Sequence, residues 1–126
     1  MTRLLGLDFA DLDLDAALAL LAARARDAPF GYLVTPNADH LVRLSRDPAR
    51  YGPLYAAADW RLLDSRVVAR LARLLGLAVP PVVPGSDLTA ELLMRIVAPG
   101  EAVAVLGASP RAVAALQARH GLALLH

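Results

Sequence analysis

The chain has 126 residues, 57% of them hydrophobic but only 5% aromatic, and its thirteen basic and twelve acidic side chains leave a formal charge of +1. A chain of this size fits one domain, able to bury about two-thirds of the surface its unfolded form exposes. With no Cys, disulfides, thiolate metal sites and cysteine nucleophiles are excluded; every basic residue is Arg, and without a clustered basic excess nucleic acid is disfavoured as a partner.

Residues 4–9, LLGLDF, read as a short strand, after which Asp13 is placed to cap a helix through AALALLAARARDA at 16–28. YLVT at 32–35 is a second strand. ADHLVRLSRD at 38–47 then sets Leu41, Val42 and Leu44 on one helical face. Pro48 opens a further helix, through Leu54 to Ala58, because a missing N–H is harmless in a first turn. WRLLD at 60–64 is a third strand ending on Asp64, with Trp60 expected in the core.

VVARLARLLG at 67–76 predicts a helix stopped by Gly76, and AVPPVVPG at 78–85 a loop, since its prolines cannot donate to a helix or a ladder. Ser86 or Asp87 is expected to cap DLTAELLMRIV, which ends before Pro99-Gly100. EAVAVLG at 101–107 reads as a fourth strand covered on both faces. SPRAVAALQARHG is its helix, with Pro110 early and Gly121 as the stop, and LALLH closes the chain as a fifth strand. No repeat, low-complexity tract or linker divides residues 1–126, which are expected to form a single domain. Asp8 comes too early for a secretory signal, and AALALLAA at 16–23 is too short to span a bilayer, so the expected location is cytoplasmic.

Short apolar strands alternating with helices predict an α/β fold, a parallel sheet with helices on both faces and right-handed crossovers. Ligands of such sheets sit beyond the carboxyl ends of the strands. That rule gives Thr35 and Asn37, Asp64, and Gly107 to Ser109 a shared address.

These residues, in this order, resemble the WecG/TagA/CpsF glycosyltransferase family, also called glycosyltransferase family 26. The resemblance rests on Thr35-Pro36-Asn37 at a strand end, Ala58-Asp59-Trp60-Arg61-Leu62-Leu63-Asp64, Leu75-Gly76, Pro84-Gly85-Ser86-Asp87-Leu88, and the turn Leu106-Gly107-Ala108-Ser109-Pro110. It covers essentially the whole chain. It implies a Rossmann-like, three-layer α/β/α fold with a mostly parallel sheet of four to five strands. It also implies an inverting enzyme that moves an N-acetylhexosamine, such as N-acetylmannosamine, from UDP to an undecaprenyl-diphosphate-linked acceptor in building bacterial cell-surface polysaccharide or teichoic acid. No cofactor and no metal-binding Asp-x-Asp is implied; a peripheral contact with the inner face of the plasma membrane is.

Inversion needs one direct displacement, with a base taking the acceptor's proton while the diphosphate leaves from the opposite side. By resemblance that base is Asp64, with Thr35 and Asn37 on substrate hydroxyls or the acetamido group. Gly85, Ser86 and Asp87, with Gly107 and Ser109, complete the substrate-binding set, since backbone amides at a helix start suit a diphosphate. The chain departs from the family where Ser65, Arg66 and Val67 replace a Gly, bulky, Gly sequence, and where Val82 and Val83 stand in place of an Arg; Arg66 is the candidate to replace that cation.

Relatives continue past this chain's last strand, so the sequence is expected to be either a fragment or a shortened member, and the alternative function is that of an inactive homologue that binds a nucleotide sugar or serves assembly. An open sheet edge would favour a homo-oligomer. A dinucleotide-binding domain is the weaker rival, because no Gly-x-Gly-x-x-Gly follows the first strand. Plain structural readings stand beside the functional ones. Asp64 is also an expected cap of the helix after it, Thr35 and Asn37 suit a turn, and Asp11, Asp13 and Asp15 fit capping better than metal binding. His40 lies one turn beyond Asn37, and His120 and His126 have no evident partners.

Overall fold

The computed structural model describes residues 1–121 and 123–125. The chain forms two compact units, Met1–Leu88 and a second that begins at Thr89.

In the first unit, the run expected to be one strand over 4–9 folds back on itself. β1 (Thr2–Leu4) pairs antiparallel with β2 (Leu7–Phe9), in the register Thr2↔Phe9, Arg3↔Asp8, Leu4↔Leu7. The turn is Leu5-Gly6, at φ 49 and 82, the left-handed pair that a two-residue hairpin connection requires. Gly6 adopts it freely, whereas Leu5 holds it against the steric preference of an L-residue. The period of two is kept. Leu4, Leu7 and Phe9 are buried, and Arg3 and Asp8 form an ion pair across the outer face at 3.0 Å.

α1 (Leu14–Ala22) starts at Asp13, whose carboxylate accepts the Ala16 N–H at 2.9 Å, and it buries Ala17 and Leu18. It stops well short of residue 28, because the apolar periodicity gives out at Arg24-Ala25-Arg26-Asp27. The Arg24 guanidinium instead donates to the Pro29 carbonyl and lies 5.3 Å from the centre of the Trp60 ring. Trp60 is accordingly half-buried rather than core.

β3 (Leu33–Val34) is followed by α2 (Ala38–Arg46), α3 (Pro48–Ala56) and β4 (Trp60–Arg61), which pairs parallel with β3. Asp47 serves both helices. Its N–H donates to the Arg43 carbonyl as α2 ends, and its carboxylate accepts the Arg50 N–H at 3.1 Å as α3 begins with Pro48. The segment 59–64 is the hub. On one edge Asp59, Leu62 and Asp64 donate to the carbonyls of Tyr32, Val34 and Pro36; on the other, the Arg61 carbonyl accepts from Ala10 and the Leu63 carbonyl from Val83. Leu62 and Leu63 are fully buried.

α4 (Arg66–Leu74) follows, ending before Gly76 at φ 71. The stretch expected to be pure loop then contributes to the ladder, because Val82 bridges Leu63 in parallel and Val83 is fully buried. Its prolines lack N–H groups but leave Val83 free to donate. One core cluster joins Leu4, Leu7 and Phe9 of the hairpin to Leu41, Leu63, Ala69 and Ala72. α5 (Gly85–Arg95) starts in this unit.

The second unit contains a βαβ arrangement: β5 (Ala102–Ala104), α6 (Pro110–His120) and β6 (Ala123–Leu125), with β5 and β6 parallel. α6 begins at Pro110 and is stopped by Gly121 in the left-handed region, as its sequence indicates, and the Ser109 hydroxyl caps its start. The strand expected to be covered on both faces is not: Ala102 and Ala104 are exposed and Val103 is half-buried. Leu122 and His126, part of the expected fifth strand, lie outside the described residues.

The α/β class and parallel pairing are present, but the expected single sheet of four to five strands is not. Among the described residues the strands form three two-stranded sheets, β1-β2, β3-β4 and β5-β6. Two causes are visible in the first unit: the opening apolar run is consumed by a hairpin, and prolines at 36, 80, 81 and 84 interrupt the ladder where strands would lengthen.

Candidate active site

The site starts where the parallel pair β3·β4 runs out. The Asp64 N–H donates to the Pro36 carbonyl at 3.1 Å, which sets the polar ends of the two strands side by side. Asp64, Thr35 and Asn37 are all half-buried, so none is sealed in the interior.

Asp64 does not cap the helix that follows it. Ser65 does, its hydroxyl accepting the Val68 N–H at 3.1 Å. The Asp64 carboxylate reaches instead across 21 residues and accepts the Gly85 N–H at 3.0 Å. The physical reason is the residue before Gly85. Pro84 occupies the capping position of α5, its carbonyl accepting from Leu88 at 3.0 Å, and a proline has no side-chain acceptor to offer. A carboxylate at the positive end of a helix also gains from the macrodipole. The expected capping of this helix by Ser86 or Asp87 is therefore corrected. α5 begins at Gly85, and both residues lie exposed in its first turn, 3.5 Å apart by their side-chain oxygens.

Thr35 closes the third side. A Cβ built on Gly85 would meet the Thr35 hydroxyl oxygen at 2.5 Å, the Thr35 Cβ at 3.3 Å and an Asp64 carboxylate oxygen at 3.4 Å. Only a glycine permits this approach. Replacing Gly85 with Ala should destabilise the chain by about 1–3 kcal/mol in urea unfolding, because Thr35 is stiff at χ1 and cannot swing clear. The double variant Thr35→Ala/Gly85→Ala should recover part of that loss, a coupling that non-contacting residues would not show.

Asn37 caps α2. Its side chain accepts the His40 N–H at 3.2 Å while its own N–H donates to His40 Nδ1 at 3.2 Å, a reciprocal capping box with His in the usual Glu position. Helices α2, α4 and α5 thus all begin within a residue or two of the contacts joining Pro36, Asp64 and Gly85. Their first-turn N–H groups suit an anion.

Arg66 is the first residue of α4 and is exposed. Gly107 and Ser109 belong to the second unit, in the turn between β5 and α6. Gly107 is at φ 77, and the Ser109 hydroxyl accepts the Ala112 N–H at 3.3 Å. Among the described residues no group of three His, Cys, Asp or Glu side chains is placed to hold a metal ion. Asp13 is occupied as a cap, and Asp11 accepts from the N-terminal ammonium and from the Thr2 hydroxyl, contacts that hold its carboxyl below the usual carboxylate range. No helix among the described residues is long and apolar enough to cross a membrane.

Sequence reading missed two partners, His40 as the return arm of the α2 cap and the Gly85 N–H as the partner of Asp64. The one available signal for the second was Pro84, which leaves the following helix without a local cap.

Residues 2–123 match the family described as Glycosyl transferase WecG/TagA/CpsF family. No curated protein and no solved structure matches the chain. With the family's pattern matched over nearly its whole length, the chain belongs to the WecG/TagA/CpsF family of glycosyltransferases.

Proposed function

We propose that the chain transfers an N-acetylhexosamine, of the N-acetylmannosamine kind, from UDP to an undecaprenyl-diphosphate-linked acceptor with inversion at the anomeric carbon. Asp64 takes the proton from the acceptor hydroxyl as that oxygen attacks the anomeric carbon. The bond from that carbon to the β-phosphate oxygen breaks from the opposite side, and UDP leaves with the electron pair. Family membership supports the reaction class. The observation that carries the role of Asp64 is its release from the local capping task by Ser65, which leaves its carboxylate at a strand end beside Thr35.

Thr35 offers its hydroxyl to the donor sugar. Asn37, whose carboxamide oxygen is engaged with the His40 N–H, has its Nδ2 amino group to offer. Arg66 supplies a cation for the diphosphate, and the Ser86 amide in the first turn of α5 a further donor.

A second reading has a specific observation behind it. One oxygen of Asp64 already serves as the missing cap of α5, a task that a carboxylate in a non-catalytic, nucleotide-sugar-binding homologue would equally perform. UDP release, measured with UDP-N-acetylhexosamine and an undecaprenyl-diphosphate-linked sugar, separates the two. The transferase reading expects turnover that requires both substrates; the binding-module reading expects UDP affinity without turnover.

A further inference from the structure

Asp64 and Asn37 are tied to one peptide group. The unit between Pro36 and Asn37 has its carbonyl on the Asp64 N–H at 3.1 Å and its own N–H on Nδ1 of His40 at 3.2 Å. A peptide group is planar, so a bond at its oxygen and a bond at its nitrogen fix its tilt together. Turning it to break one bond misdirects the other.

His40 reaches this peptide because it stands three residues past Asn37, in the first turn of α2. The two arms of the capping box belong to different atoms. The Asn37 carboxamide oxygen accepts the His40 backbone N–H at 3.2 Å, a bond that any residue except proline would keep at position 40, whereas the return bond belongs to the imidazole alone. The ring therefore adds one thing, an acceptor for the Asn37 N–H. An imidazole nitrogen accepts only when it carries no proton, so Nδ1 is bare and the proton of the neutral ring sits on Nε2.

We propose that His40 is a positioning residue for glycosyl transfer. Its Nδ1 holds the peptide between Pro36 and Asn37, and that peptide in turn sets where the Asp64 backbone sits and how Asn37 enters α2. His40 acts through these two residues and is given no contact with substrate. Its effect on rate rests on the transferase reading, because only a base aligned with an acceptor hydroxyl is sensitive to so small a displacement; a shift of about 1 Å is enough to cost a large share of the rate. With the carboxamide arm of the cap intact, loss of the ring leaves α2 its start and loosens only the peptide behind Asp64.

The test joins a spectroscopic signature to a pair of variants. Nuclear magnetic resonance of the whole chain carrying isotope-labelled histidine, at about pH 8 where an ordinary imidazole is neutral, should show the Nε2–H tautomer for the ring whose signals vanish in His40→Gln. In transfer assays His40→Leu should lower kcat about tenfold and leave KM for the donor within about twofold. His40→Gln keeps an oxygen that can accept the Asn37 N–H, and should hold kcat within about threefold of wild type. Circular dichroism should show both variants folded; a purely structural role would lower the thermal midpoint of His40→Leu and leave the kcat of the folded protein unchanged. The Nδ1–H tautomer, a folded His40→Leu with wild-type kcat, or a His40→Gln no faster than His40→Leu overturns the proposal. A wild-type chain without turnover removes the transferase reading and this role with it. That result appears before any variant is made, whereas a failure of the positioning alone appears only in the variants and the ring spectrum.

Discussion

Asp64→Asn should lower glycosyl transfer by about 10²–10⁴-fold while leaving the thermal midpoint nearly unchanged. The two halves of that expectation come from two duties of one side chain. As a base, the carboxylate removes a proton in the transition state, which a carboxamide cannot do. As the cap of α5, it needs only an oxygen that accepts the Gly85 N–H, and the Asn side chain retains one.

Asp64→Ala removes both duties. It should lose transfer to the same extent and also about 0.5–2 kcal/mol of stability, the usual loss when a helix cap is deleted. In Asp64→Asn the loss should fall on kcat with KM for the donor little changed, as expected for an interaction made in the transition state. Full activity in Asp64→Asn combined with lowered stability in Asp64→Ala would leave the residue only its structural duty.

The largest loss of stability is expected from Arg61. Its half-buried guanidinium donates to three backbone carbonyls, Asp8 at 2.7 Å through Nε, and Tyr55 at 2.8 Å and Ala58 at 2.7 Å through Nη1. Tyr55 and Ala58 lie at the carboxyl end of α3, where helix carbonyls lack intrahelical partners and where a cation complements the dipole. Asp8 is in the hairpin, so one side chain ties β2, α3 and β4 together. Arg61→Met keeps much of the stem's volume and leaves those carbonyls without their charged donor. We expect a loss of about 2–4 kcal/mol in urea unfolding followed by circular dichroism. Arg61→Lys should recover little, because a single ammonium cannot reproduce the forked geometry. A change below about 0.5 kcal/mol in Arg61→Met would mean that water replaces the guanidinium at all three carbonyls.

What was legible in the sequence was local chemistry with a local partner. Asp13, Pro48, Pro110 and Gly121 mark helix ends because each acts within four residues of itself, and the structure places each at the end that its type predicts. The strand ends at Thr35 and Asp64 were legible for the same reason, as apolar runs stopping on polar residues.

The misreadings are non-local. LLGLDF has the composition of one strand, and only the backbone of Leu5-Gly6 reveals that it is two. Gly85-Ser86-Asp87 satisfies the local pattern for a capped helix start, yet the acceptor that meets the Gly85 N–H comes from Asp64. Arg61 sits in an apolar strand where periodicity gives a cation no reason to be, and its partners are carbonyls on three other stretches of chain. The sheet was overestimated because apolar runs set an upper bound on strand length, whereas pairing is set by where prolines and turns interrupt the donors.

Crystallising the chain with UDP-N-acetylhexosamine tests the central claim most directly. The account predicts the Thr35 hydroxyl on the sugar and the Asp64 carboxylate on the side of the anomeric carbon opposite the leaving phosphate. A donor bound away from this corner, or one whose diphosphate rather than sugar faces Asp64, would contradict it.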